Sequence, residues 1–385
     1  MRRRRYLQAA ALGASGLAGC NARDQPPNTP TPTAIDTTNP TESPTATPRP
    51  EPPAVDAPDF MELLPRKHLK GTEETPNANF VRVDWDWYLS HYDTEMRFGA
   101  TSEEDWTLEA NAGNLNERPP PQYRLLHTPV GTTIQTAGIV ANIIPLFPNL
   151  GPELVRQCGM EMVTESGNDD SRATYSGAQS AQVTEIISYA SPGITFFFGI
   201  DVDQIKSAIR SNEKSTNENA PETIIYAGSG RMDGRLFFVS EAGEQPILGV
   251  QSSDEADEAI APAVSLVTGL GATESATSLE SIRWCLSRFH TSAPVFVGQV
   301  NGGRSKFSYS NYVLSPIRNL SGYDTVLNGM KIHDGVRATA EVVSSHTDGK
   351  APTVEQLLDL YGPDDGAIDT KSHPSVSKLQ ATWDS

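Results

Sequence analysis

Residues 182–210 read QVTEIISYASPGITFFFGIDVDQIKSAIR. Two apolar runs, 182–189 and 194–200, flank Ala190-Ser191-Pro192-Gly193, in which Pro followed by Gly signals a turn. The runs are short and rich in Ile and Phe, so they are expected to pair as a β-hairpin. Asp201 follows at once, with Gln204 three residues on. A carboxylate there accepts from the orphan N–H groups of a starting helix, and Gln204 reaches back as in a capping box. Val202, Ile205 and Ile209 recur at helical spacing, while Lys206 and Arg210 suit the negative end of the dipole.

Working outward, three strands are expected downstream, at 222–227, 235–240 and 246–251. Ser253 should cap a helix with Asp254, Glu255, Asp257 and Glu258 in its first turns, Ile260, Val264 and Val267 inward, and a kink at Pro262. A helix at 279–289, a strand at 294–300 and a hairpin of 323–332 with 336–345 across His333-Asp334-Gly335 come next. Thr353 and Gln356 open a helix that Gly362-Pro363 stops at 361. Upstream lie a short apolar turn at 60–64, a strand at 79–85, a helix start at 86–93 and helices at 132–144 and 151–158. The uncharged stretch 128–152 is broken by Pro129, Gly138, Pro145 and Pro148, which makes a buried helix a better reading than a membrane span. The order gives an α+β fold, antiparallel sheets with helices packed on one face, with room for two degenerate copies of a strand-helix-strand-strand plan. The folded domain is expected over 59–362, divisible into subdomains 59–190 and 191–362, with 211–221 a polar loop and 363–385 a flexible tail.

The chain start carries a different message. Arg2 to Arg5 form a cationic block, and Arg3-Arg4-Arg5-Tyr6-Leu7 fits the pattern of a twin-arginine export signal. The Ala- and Gly-rich run that follows is too short and too weakly apolar to span a bilayer. It ends in Leu17-Ala18-Gly19-Cys20, where small residues suit a processing enzyme and the thiol is the nucleophile for thioether attachment of lipid. Two acyl chains there suffice for stable anchoring. Residues 21–58 are Pro- and Thr-rich, as in TPTPT at 29–33, with too few apolar side chains to offset chain entropy. They are expected to form a disordered stalk of about 3 Å per residue, long enough to hold a domain on the order of 100 Å away.

Composition agrees with an exterior address. The 385 residues carry a formal charge of −18, and losing the four arginines of the signal takes this to −22. Lysine is scarce at nine, against twenty-one arginines. An acidic, Lys-poor surface stays hydrated in concentrated salt, and it offers no basic face for nucleic acid. Of the three cysteines, lipid on Cys20 leaves Cys158 and Cys285, for which two readings stand: a disulfide, or two buried thiols at helical core positions. Asn319-Leu320-Ser321 is a glycosylation sequon.

No catalytic pattern emerges. Asp84, Asp86, His91 and Asp93 are the nearest approach to a metal cluster, but they lack an EF-hand glycine and a closing Glu and read as solvated strand-end acids. Ser211-Asn212-Glu213-Lys214 matches S-x-x-K without its companion motifs, and Gly228-Ser229-Gly230 is followed by no helix to hold phosphate. The histidines are scattered, without a pair at ligand spacing. No metal and no cofactor is expected.

The N-terminal block resembles a twin-arginine lipoprotein signal with a lipobox, carried on Arg3, Arg4, Leu7 and Cys20. With the acidic balance, and with Gly199-Ile200-Asp201-Val202-Asp203, the chain resembles uncharacterised haloarchaeal lipoproteins with an α+β ectodomain. That resemblance implies export in the folded state, lipid on Cys20 and a place on the outer face of the cytoplasmic membrane. It implies no particular activity. A non-enzymatic module binding an extracellular protein or ligand is the leading expectation. A surface hydrolase drawing on Asp84, His91 and His333, and a transporter's solute-binding lipoprotein with two similar α/β lobes built on parallel sheets, are the alternatives.

Overall fold

The structure is a computed structural model that describes residues 51–57, 59–63, 66, 78–91, 97–98, 106–107, 125, 129, 150–164, 171–175, 181–189, 194–208, 214–216, 223–227, 236–241, 246–251, 264–265, 274–290, 292–300, 323–333, 337–346, 354–361 and 367–384. The export signal, almost the whole stalk, Asn319, the 132–144 helix and most of the helix expected from Ser253 lie outside them.

In chain order the elements are α1 (Asp59–Glu62), β1 (Ala78–Asp84), α2 (Trp85–His91) and the short strands β2 (Arg97–Phe98) and β3 (Trp106–Thr107). Next come α3 (Leu150–Gln157), the hairpin β4 (Met160–Thr164) and β5 (Ser171–Tyr175), the hairpin β6 (Glu185–Tyr189) and β7 (Ile194–Phe198), and α4 (Val202–Ala208). A meander follows: β8 (Lys214–Thr216), β9 (Thr223–Ala227), β10 (Leu236–Ser240) and β11 (Ile247–Gln251). After a 3-10 turn (Ala276–Ser278), α5 (Glu280–Leu286) leads into β12 (Val295–Val300) and the hairpin β13 (Thr325–His333) and β14 (Arg337–Ser345). The chain closes with α6 (Val354–Tyr361), β15 (Ala367–His373) and β16 (Val376–Asp384).

Twelve strands form one sheet in the order β15-β16-β14-β13-β12-β1-β6-β7-β11-β10-β9-β8. Every neighbouring pair in it is antiparallel. The expected antiparallel α+β class is therefore observed, with sheet dominating helix. β1 and β12 meet at the centre, Val81 opposite Val297, and join two runs of strands. On one side a hairpin (β6–β7) is followed by a helix and a meander whose last strand, β11, docks on β7. On the other, a hairpin (β13–β14) is followed by a helix and a return whose last strand, β16, docks on β14.

Side chains alternate across this sheet between two buried clusters. Val81, Val83, Ile186, Phe197, Val295, Val297 and Leu379 join Trp85 of α2, Leu154 of α3, Val202 and Ile205 of α4 and Leu357 of α6. Phe80, Ile187, Phe196, Phe198, Phe296 and Val376 instead join Met61 of α1 and Ile282, Trp284, Cys285 and Leu286 of α5. Helices thus cover both faces, not one as expected. The physical reason is visible in the central strands. Burial is continuous along β7 (ITFFF) and β12 (VFVGQV), which a sheet wetted on one side does not support.

Other differences are equally specific. A boundary at 190/191 would cut the β6–β7 hairpin, so the two expected subdomains do not divide there. Residues expected as a flexible tail form β15 and β16, with Val376, Leu379, Ala381 and Trp383 buried. Lys214–Thr216, expected within a polar loop, is an edge strand. The hairpin β4–β5 was not anticipated.

Close backbone approach decides two positions. A Cβ on Gly298 would lie 2.0 Å from Phe80 Cζ, because that ring lies over its cross-strand partner. Gly249 stands in the same relation to Phe238, 2.2 Å from its Cε1. Each glycine makes room for an aromatic ring on the α5 side of the sheet, where Phe80 meets Phe296 edge-on at 6.1 Å. Gly298→Ala should therefore destabilise the fold by about 1–3 kcal/mol through overpacking. Equilibrium denaturation should show Phe80→Leu recovering part of that loss in the double variant, against the additive sum.

Candidate functional site

The 194–204 segment builds the first polar junction. Gly199 ends β7 with φ of 78°, and a Cβ there would sit 2.7 Å from the Gln182 carbonyl. Only glycine makes this turn without strain. It delivers Asp201 to the start of α4, where Oδ1 accepts from Gln204 N–H at 3.1 Å and Oδ2 from Gln204 Nε2 at 2.7 Å. The capping is as expected on the helix side. The back-reach differs: Asp201 N–H donates instead to Gln157 Oε1 at 2.9 Å. Gln157 is fully buried, and its Nε2 donates to Glu153 Oε1 at 2.8 Å and to the Asp201 carbonyl at 3.2 Å. This amide works like one rung of a ladder, tying the end of α3 to the start of α4. Glu153 is held below its ordinary pKa, first by the hydrogen bond from Arg156.

The second junction lies on the other face, where α5 ends over β14, β15 and β16. Glu341 and Lys378 are both buried, and the Lys378 ammonium donates to Glu341 Oε2. Lys378 Nζ also donates to the Arg288 carbonyl at 2.9 Å and lies 3.4 Å from His290 Nδ1. Glu341 in turn accepts from the His290 backbone N–H and lies 2.9 Å from His290 Nδ1. A buried ion pair is tolerated where its remaining donors and acceptors are met, as they are here. The ammonium takes up one carbonyl just past the end of α5, where a cation complements the dipole.

Beside this pair opens a notch of about 240 Å³ lined by Arg288, Lys371, His373 and Val376. The His373 ring stacks on Trp284 at 5.0 Å and 29°, and its Nδ1 accepts from Ser375 N–H at 3.2 Å. The neutral imidazole therefore carries its proton on Nε2. Lys371 stands directly across the β15–β16 pair from Lys378. Lys371 Nζ lies 3.4 Å from Asp369 Oδ2, a pair exposed on both sides.

Among the described residues, those singled out from sequence do not converge. Asp84 Oδ1 accepts from Trp87 N–H at 2.9 Å and so caps α2, while Asp86 is exposed on that helix. Partial desolvation beside the helix, then the neighbouring Asp84, raises the Asp86 pKa. His91 ends α2, and its side chain and Asp93 lie outside the described residues. His333 ends β13, separated from Asp84 by β12, which is roughly 10 Å across the sheet. Arg3, Arg4, Leu7, Cys20, Ser211, Gly228 and Asn319 lie outside the described residues. Among the described residues no group of three His, Cys, Asp or Glu side chains is arranged to hold a metal ion.

Cys158 and Cys285 are both free and buried. The sheet lies between them, Cys158 with the α3 cluster and Cys285 with the α5 cluster, so the disulfide reading gives way to two buried thiols. Burial pushes the Cys285 thiol up to about 12 and raises that of Cys158 as well. Neither is a ready nucleophile. The α5 junction was missed because its parts are spread from Arg288 to Lys378. Its one local signal was two lysines, 371 and 378, close together in a chain with few.

No protein-family model, no curated protein and no solved structure matches this chain.

Two outcomes follow from the junction and the thiols. Lys378→Met alone leaves Glu341 buried without its cation and should cost about 3–5 kcal/mol. Adding Glu341→Gln, which keeps an acceptor for His290 N–H, should return part of that cost, and a double-mutant cycle reads the coupling. Iodoacetamide at mildly alkaline pH should leave both thiols unlabelled in the folded chain and alkylate both in denaturant, with mass spectrometry counting the adducts.

Proposed function

We propose that this chain is a lipoprotein exported in the folded state by the twin-arginine route, anchored through Cys20 at the outer face of the cytoplasmic membrane, and that its ectodomain is a non-enzymatic binding module. The observation that carries the reading is the ordered series Arg3-Arg4, Leu7 and Leu17-Ala18-Gly19-Cys20, followed by a Pro/Thr stalk. Two properties of the fold support it. The central pairing joins residues as remote as Phe80 and Gly298, and a sheet closed by such distant contacts forms slowly. A route that carries finished proteins suits that topology. The two free thiols are sealed in the core, which protects them outside the cell. No helix among the described residues is long and apolar enough to cross a membrane, and the reading requires none.

The acidic, Lys-poor composition supports work in concentrated salt. A different internal likeness from the expected strand-helix-strand-strand copies runs through the main sheet: β6–β7 with α4 and its meander, and β13–β14 with α6 and its return, lie on either side of the β1–β12 pairing. Antiparallel pairing throughout the main sheet favours a binding module over a solute-binding protein with two parallel lobes.

Cys20→Ser should move the protein from the membrane fraction to the medium, and mass spectrometry of the wild-type N-terminus should find a lipid-bearing Cys20. Replacing Arg3 and Arg4 with Lys should hold the chain inside the cell. An unprocessed wild-type N-terminus with a bare thiol would sink the anchoring.

A further inference from the structure

We infer that the notch at the end of α5 is a binding site for a single oxyanion group, a carboxylate, sulfate or phosphate. The inference deepens the binding-module reading and rests on it. Two cationic side chains and an imidazole line one small space, Arg288, Lys371 and His373, with Val376 beside them, and the His373 Nδ1 is already taken as an acceptor. Arg288 has no side-chain partner among the described residues, although its backbone is fixed by its carbonyl bond from Lys378 at 2.9 Å. A guanidinium that no described side chain engages keeps its N–H fork open, and an oxyanion accepts from such a fork in bidentate fashion. The His373 ring is held by Trp284 at 5.0 Å.

The charge arrangement supports the same conclusion. Lys371 and Lys378 are direct cross-strand partners on one face, a like-charge placement that weakens a sheet. Lys378 is neutralised by buried Glu341, whereas Lys371 has, among the described residues, only the exposed Asp369 contact at 3.4 Å. Such an exposed pair contributes little. Arg288 adds a third cation in a chain of net charge −18 that has only nine lysines. Local arrangements that work against stability mark functional positions, and a bound anion offsets this one. The volume of about 240 Å³ sets the size. It falls below the range of roughly 300–1,000 Å³ for drug-sized ligands, so it takes the charged end of a molecule and a few neighbouring atoms.

Isothermal titration of the full chain with inorganic phosphate, inorganic sulfate and glucuronate, in a constant high-chloride background, tests the site. Saturable binding of at least one probe is expected, with Kd raised tenfold or more by Arg288→Ala and by Lys371→Gln, both exposed positions that leave the core intact. Lys206→Gln, which breaks the remote pair with Glu241, should bind as wild type. Tighter binding of glucuronate assigns a sugar-borne carboxylate, and tighter binding of phosphate or sulfate assigns the free ion or its esters. No saturable binding by any probe, or Kd values unchanged in both notch variants, overturns the site. Membrane fractionation is read separately, so loss of this site and loss of the anchored-lipoprotein reading are distinguishable.

Discussion

Six register pairs, from Ala78 opposite Val300 to Val83 opposite Val295, join strands more than two hundred residues apart at the middle of the sheet. The hairpins on either side can close locally, but neither run buries both faces until β1 and β12 meet. Arg82 sits at this seam, donating to the Ala293 carbonyl at 2.8 Å and to Glu185 Oε2 at 3.2 Å. Phe80 fills the space above Gly298 and packs on Phe296, so the register is set by shape as well as by ladder hydrogen bonds. A slip of one residue would send Phe80 to the opposite face and Val81 into its place.

Around that seam, polar side chains do structural work at helix ends. Gln157 satisfies the backbone N–H and carbonyl of Asp201, and the Asp201 carboxylate then serves α4. Trp85 Nε1–H donates to the Cys158 carbonyl at 2.9 Å, tying α2 to the end of α3. On the other face Lys378 and Glu341 close the end of α5. Helix ends carry orphan donors and acceptors, and a fold that buries them under a wide sheet has to bring partners from elsewhere in the chain. The notch beside Lys378 arises from this arrangement: Arg288 is fixed by its backbone carbonyl while its side chain stays exposed.

The exterior setting proposed for the chain is compatible with its chemistry. The formal charge of −18 reflects an excess of carboxylates, and the thiols are buried at 0% exposure with the sheet between them. The helices that separate solvent from those thiols are short, so protection comes from packing of the sheet and its covers together.

Local chemistry was enough to place the β6–β7 hairpin, the Asp201 cap, the strands at 223–227, 236–240 and 247–251, the helix at 280–286 and the β13–β14 hairpin. Each depends on residues within a few positions of one another: a Pro-Gly turn, a capping carboxylate, an apolar stripe. The proposed export and anchoring signal is likewise read from residues close together in the chain. The strands of 367–384 were not, because their burial depends on β14 and α5: Lys378 reads as a surface residue until Glu341, 37 positions away, lies beneath it. Helices on both faces, the central β1–β12 pairing and the oxyanion notch were likewise decided by tertiary structure. They depend on which distant strand lies beside which, and no short window of sequence carries that information.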